Sequence, residues 1–338
     1  MTSPMITALM TTFNSSDYVC QAIDSVLAQT YQNFQLLIVD DASTDSTCQL
    51  IENYRDPRIC LIRQPQNLGV GATLARALQY IESPFIAKID SDDLCLPERF
   101  AKQLAFMQAH PELDIVKCYF SYFTEDAEVE ASERYQYFKA VKEAEHNNIN
   151  HPELIQQELQ RWNCMIHSCY FAKTRVIKKL DYFPLRVGED YSLFYRAVQA
   201  GFTIGCVPEY LLQMRITSSS VTTAADAAGH FAGTLVQLKH DKLLALIRHH
   251  GALTLYGTGG LAIAVAARLI EHGLPFAGFA ARVSSEPIQV SGRTWPVLSL
   301  EAIQQRGVVI AAQPVRQQVS DELRAAGWRE WQDFMVIA

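Results

Sequence analysis

The chain has 338 residues, 49% of them apolar, with a formal net charge of −7. That length fits two domains with packed cores, and the apolar content and lack of low-complexity segments exclude disorder as the default state. The negative balance argues against a partner built on phosphate backbones, so no nucleic acid is expected.

Eight cysteines are scattered without CxxC pairs. They read as reduced thiols of a cytoplasmic protein, not as a disulfide frame or a zinc site. The first ten residues, MTSPMITALM, lack a basic stretch before their apolar run, so no secretory signal is expected. The most apolar segment, 253–270, is interrupted by Gly257, Gly259, Gly260 and Arg268. It reads as strand, glycine turn and helix, and no transmembrane helix is expected.

In chain order, apolar runs predict strands at 6–10, 34–39, 59–63 and 85–89. Helical spacing predicts helices at 17–29, where Val19, Ile23, Val26 and Leu27 share a face, and at 48–54 and 70–81. Strands alternating with helices imply an α/β fold with a parallel sheet, whose ligands bind at the carboxyl ends of the strands. From 124 to 162 the chain is polar, with a short helix expected from Pro152, and a further helix is expected from Tyr191. Residues 217–229 are small and polar and read as a linker. A helix through 235–247 then leads to strands at 253–256, 276–280 and 308–312, with helices at 261–272 and 315–326. The expected division is 1–222, a linker and helix at 223–249, and a second α/β domain at 250–338.

Two acidic clusters end predicted strands, Asp40-Asp41 and Asp90-Ser91-Asp92-Asp93. In extended chain, residues two apart face the same side, which aligns Asp90 with Asp92. Carboxylates this close repel each other unless a cation or hydrogen-bond donors compensate, and oxygen ligands suit Mg²⁺ or Mn²⁺. A solvated loop with a helix cap is the plainer explanation of the same residues. Asp40, on the same rim, is suited to accept hydrogen bonds from a base or ribose, whereas Asp41 and Asp45 read as turn and cap residues. Phe13, at the end of the first strand, is either a stacking platform for a nucleobase or ordinary core.

Four segments occur in order: ITALMTTFNSSDYVCQAIDSVLAQTYQNFQLLIVDDASTDST, QNLGVGATLARAL, FIAKIDSDDLCLPERF and VGEDYSLFYRAVQAGF. Together, over residues 5–220, they resemble a family 2 glycosyltransferase of the GT-A fold. The resemblance implies that Thr11, Thr12, Phe13 and Asn14 cradle the base and that Asp40 binds uracil or ribose. It places Arg76 near the nucleotide, and Asp90 and Asp92 on ribose and metal, with Asp93 sharing the metal role. Asp190 matches the catalytic base, and Arg215 a basic residue that closes over the diphosphate. His167 matches a position near the donor sugar, although a hydrogen-bonded core histidine fits it equally.

A nucleoside diphosphate leaves readily only when its developing charge is neutralised, and an attacking hydroxyl must lose its proton to a base. Asp190 suits the base, with Glu189 orienting acceptor or base; Asp190 also suits a helix N-cap. The resemblance implies inversion at the anomeric carbon, a nucleotide-sugar donor (a UDP-sugar), and a carbohydrate or lipid-linked acceptor chosen by residues 121–162. Peripheral contact with the inner face of a membrane is left open. Two other classes share these features: a sugar-1-phosphate nucleotidyltransferase and a non-catalytic nucleotide-sugar sensor.

In the second domain, Gly257, Gly259 and Gly260 fall between a strand and a helix, as in a Rossmann-like nucleotide turn. The acid expected at the end of the next strand is absent, and Phe279-Ala280-Ala281-Arg282 stands there instead. A packing, regulatory or oligomerisation role is therefore expected for this domain.

Overall fold

The structure is a computed structural model, and it describes residues 3–218, 227–303 and 307–338. The chain divides into two compact units, Met1–Ser220 and Val221–Ala338. The expected boundary at 222/223, and most of the expected linker, lie outside the described residues.

The first unit is built on an eight-stranded sheet. Its strands are β1 (Ile6–Thr12), β2 (Phe34–Asp40), β3 (Ile59–Arg63), β4 (Phe85–Asp90), β5 (Leu94–Cys95), β6 (Ile115–Phe123), β7 (Phe171–Lys173) and β8 (Ile204–Arg215). They lie in the order β3-β2-β1-β4-β7-β6-β8-β5. β1, β2, β3 and β4 run parallel, and β7 is antiparallel to both β4 and β6. β1 is central and almost wholly buried, as a strand covered by helices on both faces must be. Its apolar side chains pack with Val19, Ile23 and Val26 of the helix Val19–Leu27. The register sets Thr12 beside Asp40 and Thr11 beside Asp90. The two acidic clusters therefore flank the carboxyl end of one strand.

The sequence expectations hold for the four amino-terminal strands to within two residues. β6 and β8 were not anticipated. They form a parallel pair whose register shifts near Tyr119, and β8 ends at Arg215 next to the acidic rim. The polar stretch 124–162 is mostly helical: Ala127–Ala131, Glu133–Tyr137, a π-helical turn Phe138–Lys142, Glu143–Asn147 and Pro152–Leu159.

The helix Val70–Ala77 reaches the segment that leads into the Glu189–Gln199 helix at one point of contact. A Cβ on Gly71 would sit 2.3 Å from the Phe183 carbonyl oxygen and 2.8 Å from the Leu185 nitrogen. Both are backbone atoms, so no rotamer change relieves the clash. Gly71→Ala is expected to cost about 1–3 kcal/mol, read as a lowered thermal midpoint. A midpoint equal to wild type would contradict this close approach.

The second unit holds β9 (Leu253–Tyr256), β10 (Phe276–Ala281), β11 (Ser285–Val290), β12 (Arg293–Ser299), β13 (Val308–Ile310) and β14 (Phe334–Val336), in the order β11-β12-β10-β9-β13-β14. All pairs are parallel except the β11–β12 hairpin. Ser291 and Gly292 turn that hairpin with φ of 52° and 74°, both in the left-handed region that a tight two-residue turn requires. The single helix expected through 235–247 is two helices, Ala227–Leu238 and His240–His250. They break at Lys239, a buried residue whose ammonium donates to the carbonyls of Val336 and Ile337. Among the described residues no helix is long and apolar enough to cross a membrane.

Candidate functional site at the acidic rim

At the end of β1 the chain turns through Asn14, in the left-handed region at φ 49°. Its amide N–H donates to Ser43 Oγ (2.9 Å), and its side-chain oxygen accepts from the Thr44 N–H (2.8 Å). This stitches the β1 turn to the loop after β2 and leaves the Phe13 ring 47% exposed on the rim. Asp40 is 2% exposed; one oxygen accepts from the Ser43 N–H (3.0 Å). Its other oxygen, and the buried hydroxyl of Thr12 paired with it across the strands, have no hydrogen-bond partner among the described residues. Unpaired buried polar atoms cost about 1–3 kcal/mol each, so this corner carries a stability cost that nothing among the described residues offsets. Thr11 is half-buried beside Asp90. Arg76 is half-buried and donates to Gln64 Oε1 (3.2 Å), while Gln64 Nε2 donates to Asp41 (3.0 Å). Asp41 takes the Leu68 and Gly69 N–H groups (2.8 Å each), and so anchors the Asn67-Leu68-Gly69 turn to the rim.

The Asp90-Ser91-Asp92-Asp93 turn is held from below by Lys88, which is fully buried on β4 and donates to Asp90 and to the Ile89 carbonyl. Burial alone would raise the Asp90 carboxyl, but the adjacent ammonium reverses this and keeps it below the usual carboxylate range. Asp92 has no such partner, and burial followed by the Asp90 charge pushes it up to about 6. Asp93 is buried, and its oxygens accept from the Ser168 hydroxyl and from the Arg215 N–H (2.9 Å). Burial and the charges of Asp92 and Asp90 push its carboxyl well above the ordinary value.

Two placements differ from expectation. Asp93, expected to share a metal, has both oxygens committed to joining the ends of β8 and of the His167–Cys169 turn. Arg215, expected over a diphosphate, has a side chain only 2% exposed. It donates to the Asp92 carbonyl (2.9 Å), Glu125 (2.7 Å) and Gln21, and its guanidinium stacks over Tyr18 and Phe123. It braces the acidic turn from behind.

The third part of the site comes from the start of the helix Glu189–Gln199, whose cap is Gly188 at φ 84°. The N-cap alternative for Asp190 therefore falls to Gly188, and Asp190 lies in the first turn. One oxygen of Asp190 accepts from the Tyr191 N–H (2.6 Å) and the other from Asn163 Nδ2 (2.8 Å). Burial raises its pKa against these two donors, with the Asp90 charge adding to the rise. Burial, then the Asp190 charge, pushes Glu189 up to about 8. His167 Nδ1 lies 3.6 Å from Glu189, and its Nε2 is 2.9 Å from the Tyr182 hydroxyl. Burial, aided by Lys88, lowers it to about 3, so it is a neutral, hydrogen-bonded histidine. Asp90 is thus felt by Glu189, Asp190 and Asp92 alike, which brings the two acidic segments into one neighbourhood.

Among the described residues, no group of three or more His, Cys, Asp or Glu side chains is arranged to hold a metal by itself. A Mg²⁺ or Mn²⁺ fits this edge in a different way. Several crowded carboxyls are displaced toward their neutral forms, a shortage of positive charge that a hard cation relieves while taking most of its ligands from water and phosphate. In the second unit Gly257 has φ 125°, while Gly259 and Gly260 are exposed at the start of the helix Gly260–Glu271. Arg282 is engaged with Glu322 (2.8 Å).

Sequence reasoning missed Lys88, Ser168 and Asn163. A lone lysine in the otherwise apolar run FIAKID was a signal, because lysine is almost never fully buried unless paired. Ser168 and Asn163 gave none.

The mostly parallel sheet, with acids at the carboxyl ends of β2 and β4 on either side of β1, has the α/β architecture of the GT-A fold. Residues 7–181, more than half of the chain, match the family described as glycosyl transferase family 2, and the chain belongs to that family. It is 26% identical over 221 residues to the uncharacterized glycosyltransferase MJ1057 of Methanocaldococcus jannaschii, covering 64% of this chain and 72% of that protein. With the amylovoran biosynthesis glycosyltransferase AmsE of Erwinia amylovora it shares 26% identity over 222 residues, 64% of this chain and 78% of the relative. Among solved structures, TarS 1–349 of S. aureus in complex with UDP-GlcNAc superposes with a TM-score of 0.54 at 18% identity, over 70% of this chain and 66% of that one. The mannosyltransferase PcManGT of Pyrobaculum calidifontis, in complex with GDP-Man and Mn²⁺, gives 0.51 at 17% identity, over 72% and 65%. The match therefore spans just under two thirds of each of those two structures.

Glu189 keeps its proton in the folded chain at pH values where the unfolded chain has released it. Stability from this source is complete below about pH 4.3, the unperturbed glutamate value, and is lost as pH rises through about 8. Glu189→Gln, neutral throughout, removes that loss. Its thermal midpoint should match wild type near pH 4 and exceed it increasingly toward pH 8. Parallel curves would contradict the assignment.

Proposed function

We propose that the chain transfers a glycosyl group, with inversion, from a nucleoside-diphosphate sugar, a UDP-sugar, to a hydroxyl of a carbohydrate or lipid-linked acceptor. The observation that carries this is the convergence of Asp190 and the Asp90-Ser91-Asp92 turn on one neighbourhood of the sheet edge, beside the unpartnered oxygens of Asp40 and Thr12. Phe13 offers its exposed face to the base, and Asp40 accepts from the base or ribose. Asp92 and Asp90 would hold Mg²⁺ or Mn²⁺, whose charge stabilises the departing diphosphate. Asp190 accepts the proton of the attacking hydroxyl, and the raised carboxyl brings it closer to the operating pH of a general base. Glu189, neutral at pH 7, orients the acceptor by donating a hydrogen bond. Neutral His167 fixes Glu189 from the side of the donor sugar.

The names of the compared proteins support this reading: UDP-GlcNAc is bound by TarS, GDP-Man and Mn²⁺ by PcManGT, and AmsE serves amylovoran biosynthesis. We assign the transfer to residues 1–222 in surface polysaccharide or glycolipid synthesis, with the enzyme in the cytoplasm. Residues 250–338 serve packing, regulation or oligomerisation.

Asp92→Asn and Asp190→Asn separate the two halves of the site. Asp92→Asn should weaken Mn²⁺-dependent UDP binding about tenfold or more, since a loss near 1.4 kcal/mol suffices for that factor. Asp190→Asn should leave UDP affinity unchanged and lower transfer by about 10²–10⁴-fold, the usual contribution of a general base. Calorimetry with UDP and Mn²⁺, with UDP release from UDP-sugars, reads both. Wild-type turnover in either variant contradicts the role given to that residue.

A further inference from the structure

Asn163 stands between the helix Pro152–Leu159 and the His167–Cys169 turn, in a backbone held unusually firmly. Glu158 accepts from Arg161 (2.7 Å) and from the Trp162 indole (2.7 Å), which fixes the two residues before it. The buried Lys117 ammonium donates to the carbonyl of Cys164 just after it (3.4 Å) and to that of His146. The Tyr191 hydroxyl donates to the Leu159 carbonyl (3.0 Å), tying the helix that carries Asp190 to the same turn. From this frame Asn163 Nδ2 donates to Asp190 Oδ2 at 2.8 Å. Its carboxamide oxygen is buried without a partner among the described residues.

A buried amide oxygen left unpaired costs stability. Turning the amide over would satisfy nothing, because it would set oxygen against the Asp190 carboxylate. The orientation therefore serves Asp190 at the expense of Asn163 itself.

We propose that Asn163 is the positioning residue of this site, dedicated to holding the Asp190 carboxylate ionised and aimed into the acidic edge. The inference rests on the reading of Asp190 as the catalytic base. Around Asp190 stand Glu189 and the Tyr191 N–H on its own helix, Asp90 on β4 and the Tyr182 hydroxyl, with Lys88 and His167 facing the adjoining Glu189. Burial opposes ionisation, and the Asp90 charge opposes it further. The Tyr191 N–H and Asn163 are donors in direct contact that favour it, and the Asp190 backbone N–H adds to them. Without Asn163, its one side-chain donor shown here, the base keeps backbone donors alone, and it should protonate at a higher pH.

The test uses the full chain with ¹³C-labelled aspartate carboxyls, the Asp190 signal being identified by its loss in Asp190→Asn. Asn163→Leu should raise the Asp190 titration by about one pH unit, the expected size for one lost charge-assisted hydrogen bond. The acid limb of UDP release from UDP-glucose with Mn²⁺ should move up by the same amount, with KM for UDP-glucose unchanged. That shift of the acid limb is a readout which a merely structural asparagine would not move. Should Asn163→Leu fail to fold, Asn163→Ser is read in the same way. An Asp190 titration, or an acid limb, that is unmoved in the folded variant overturns the proposal. A wild-type chain that turns over no nucleotide sugar overturns the glycosyl-transfer reading instead, and the carboxyl titration still decides the role of Asn163.

Discussion

Asp90, Asp92, Asp93, Glu189 and Asp190 crowd the carboxyl edge of a parallel sheet, and the Lys88 ammonium sits beneath them with no exposure to solvent. Charges this close, in a medium that screens poorly, cannot all be ionised. Each carboxyl settles by what reaches it. Asp90 takes the ammonium and stays charged, and Asp93 spends its oxygens on Ser168 and Arg215. Asp190 leans on the N–H donors of Asn163, Tyr191 and its own backbone, and Glu189 keeps its proton. Asp92 is left with repulsion from Asp90, which is the condition in which a divalent cation is most welcome.

The rest of the first unit can be read as what holds that crowding in place. Arg215 and Asp93 lock the end of β8 against the acidic turn, so a strand far along the chain braces residues near its start. Asn14 and Ser43 lace the β1 and β2 loops together and leave Phe13 outward and Asp40 half satisfied. Gly71 lets one helix touch the backbone that leads into the Glu189–Gln199 helix, so both sides of the edge share one support. The structure thereby accepts several unpaired or protonated groups along one edge, at a cost in stability.

The amino-terminal strands were legible because each is a short apolar run that stops at an acid, and period and terminus agree there. β6 and β8 were harder. Lys117 and the aromatic residues of IVKCYFSYF blur its alternation, and β8 contains Pro208 and Glu209 where its register against β6 shifts. The β11–β12 hairpin was hidden in the same way by Pro287 and Pro296. At the site, Asp40, Asp90, Asp92 and Asp190 stood out as acids at element ends. Asp93 and Arg215 were visible as residues but not in their roles, since a carboxylate that binds a cation and one that takes a backbone N–H look identical in sequence. Asn163 depends on two turns meeting in space, which a spacing pattern does not encode.

The central claim is that one sheet edge holds the base, the diphosphate and the proton acceptor together. A crystal structure of the full chain with UDP and Mn²⁺ tests it most directly. The account places the uracil against Phe13 and Asp40, the diphosphate at Asp92, and the Asp190 carboxylate open toward the β-phosphate side. UDP bound at the Gly257 turn, or seated on the first unit with Asp92 and Asp190 on opposite faces, would contradict it.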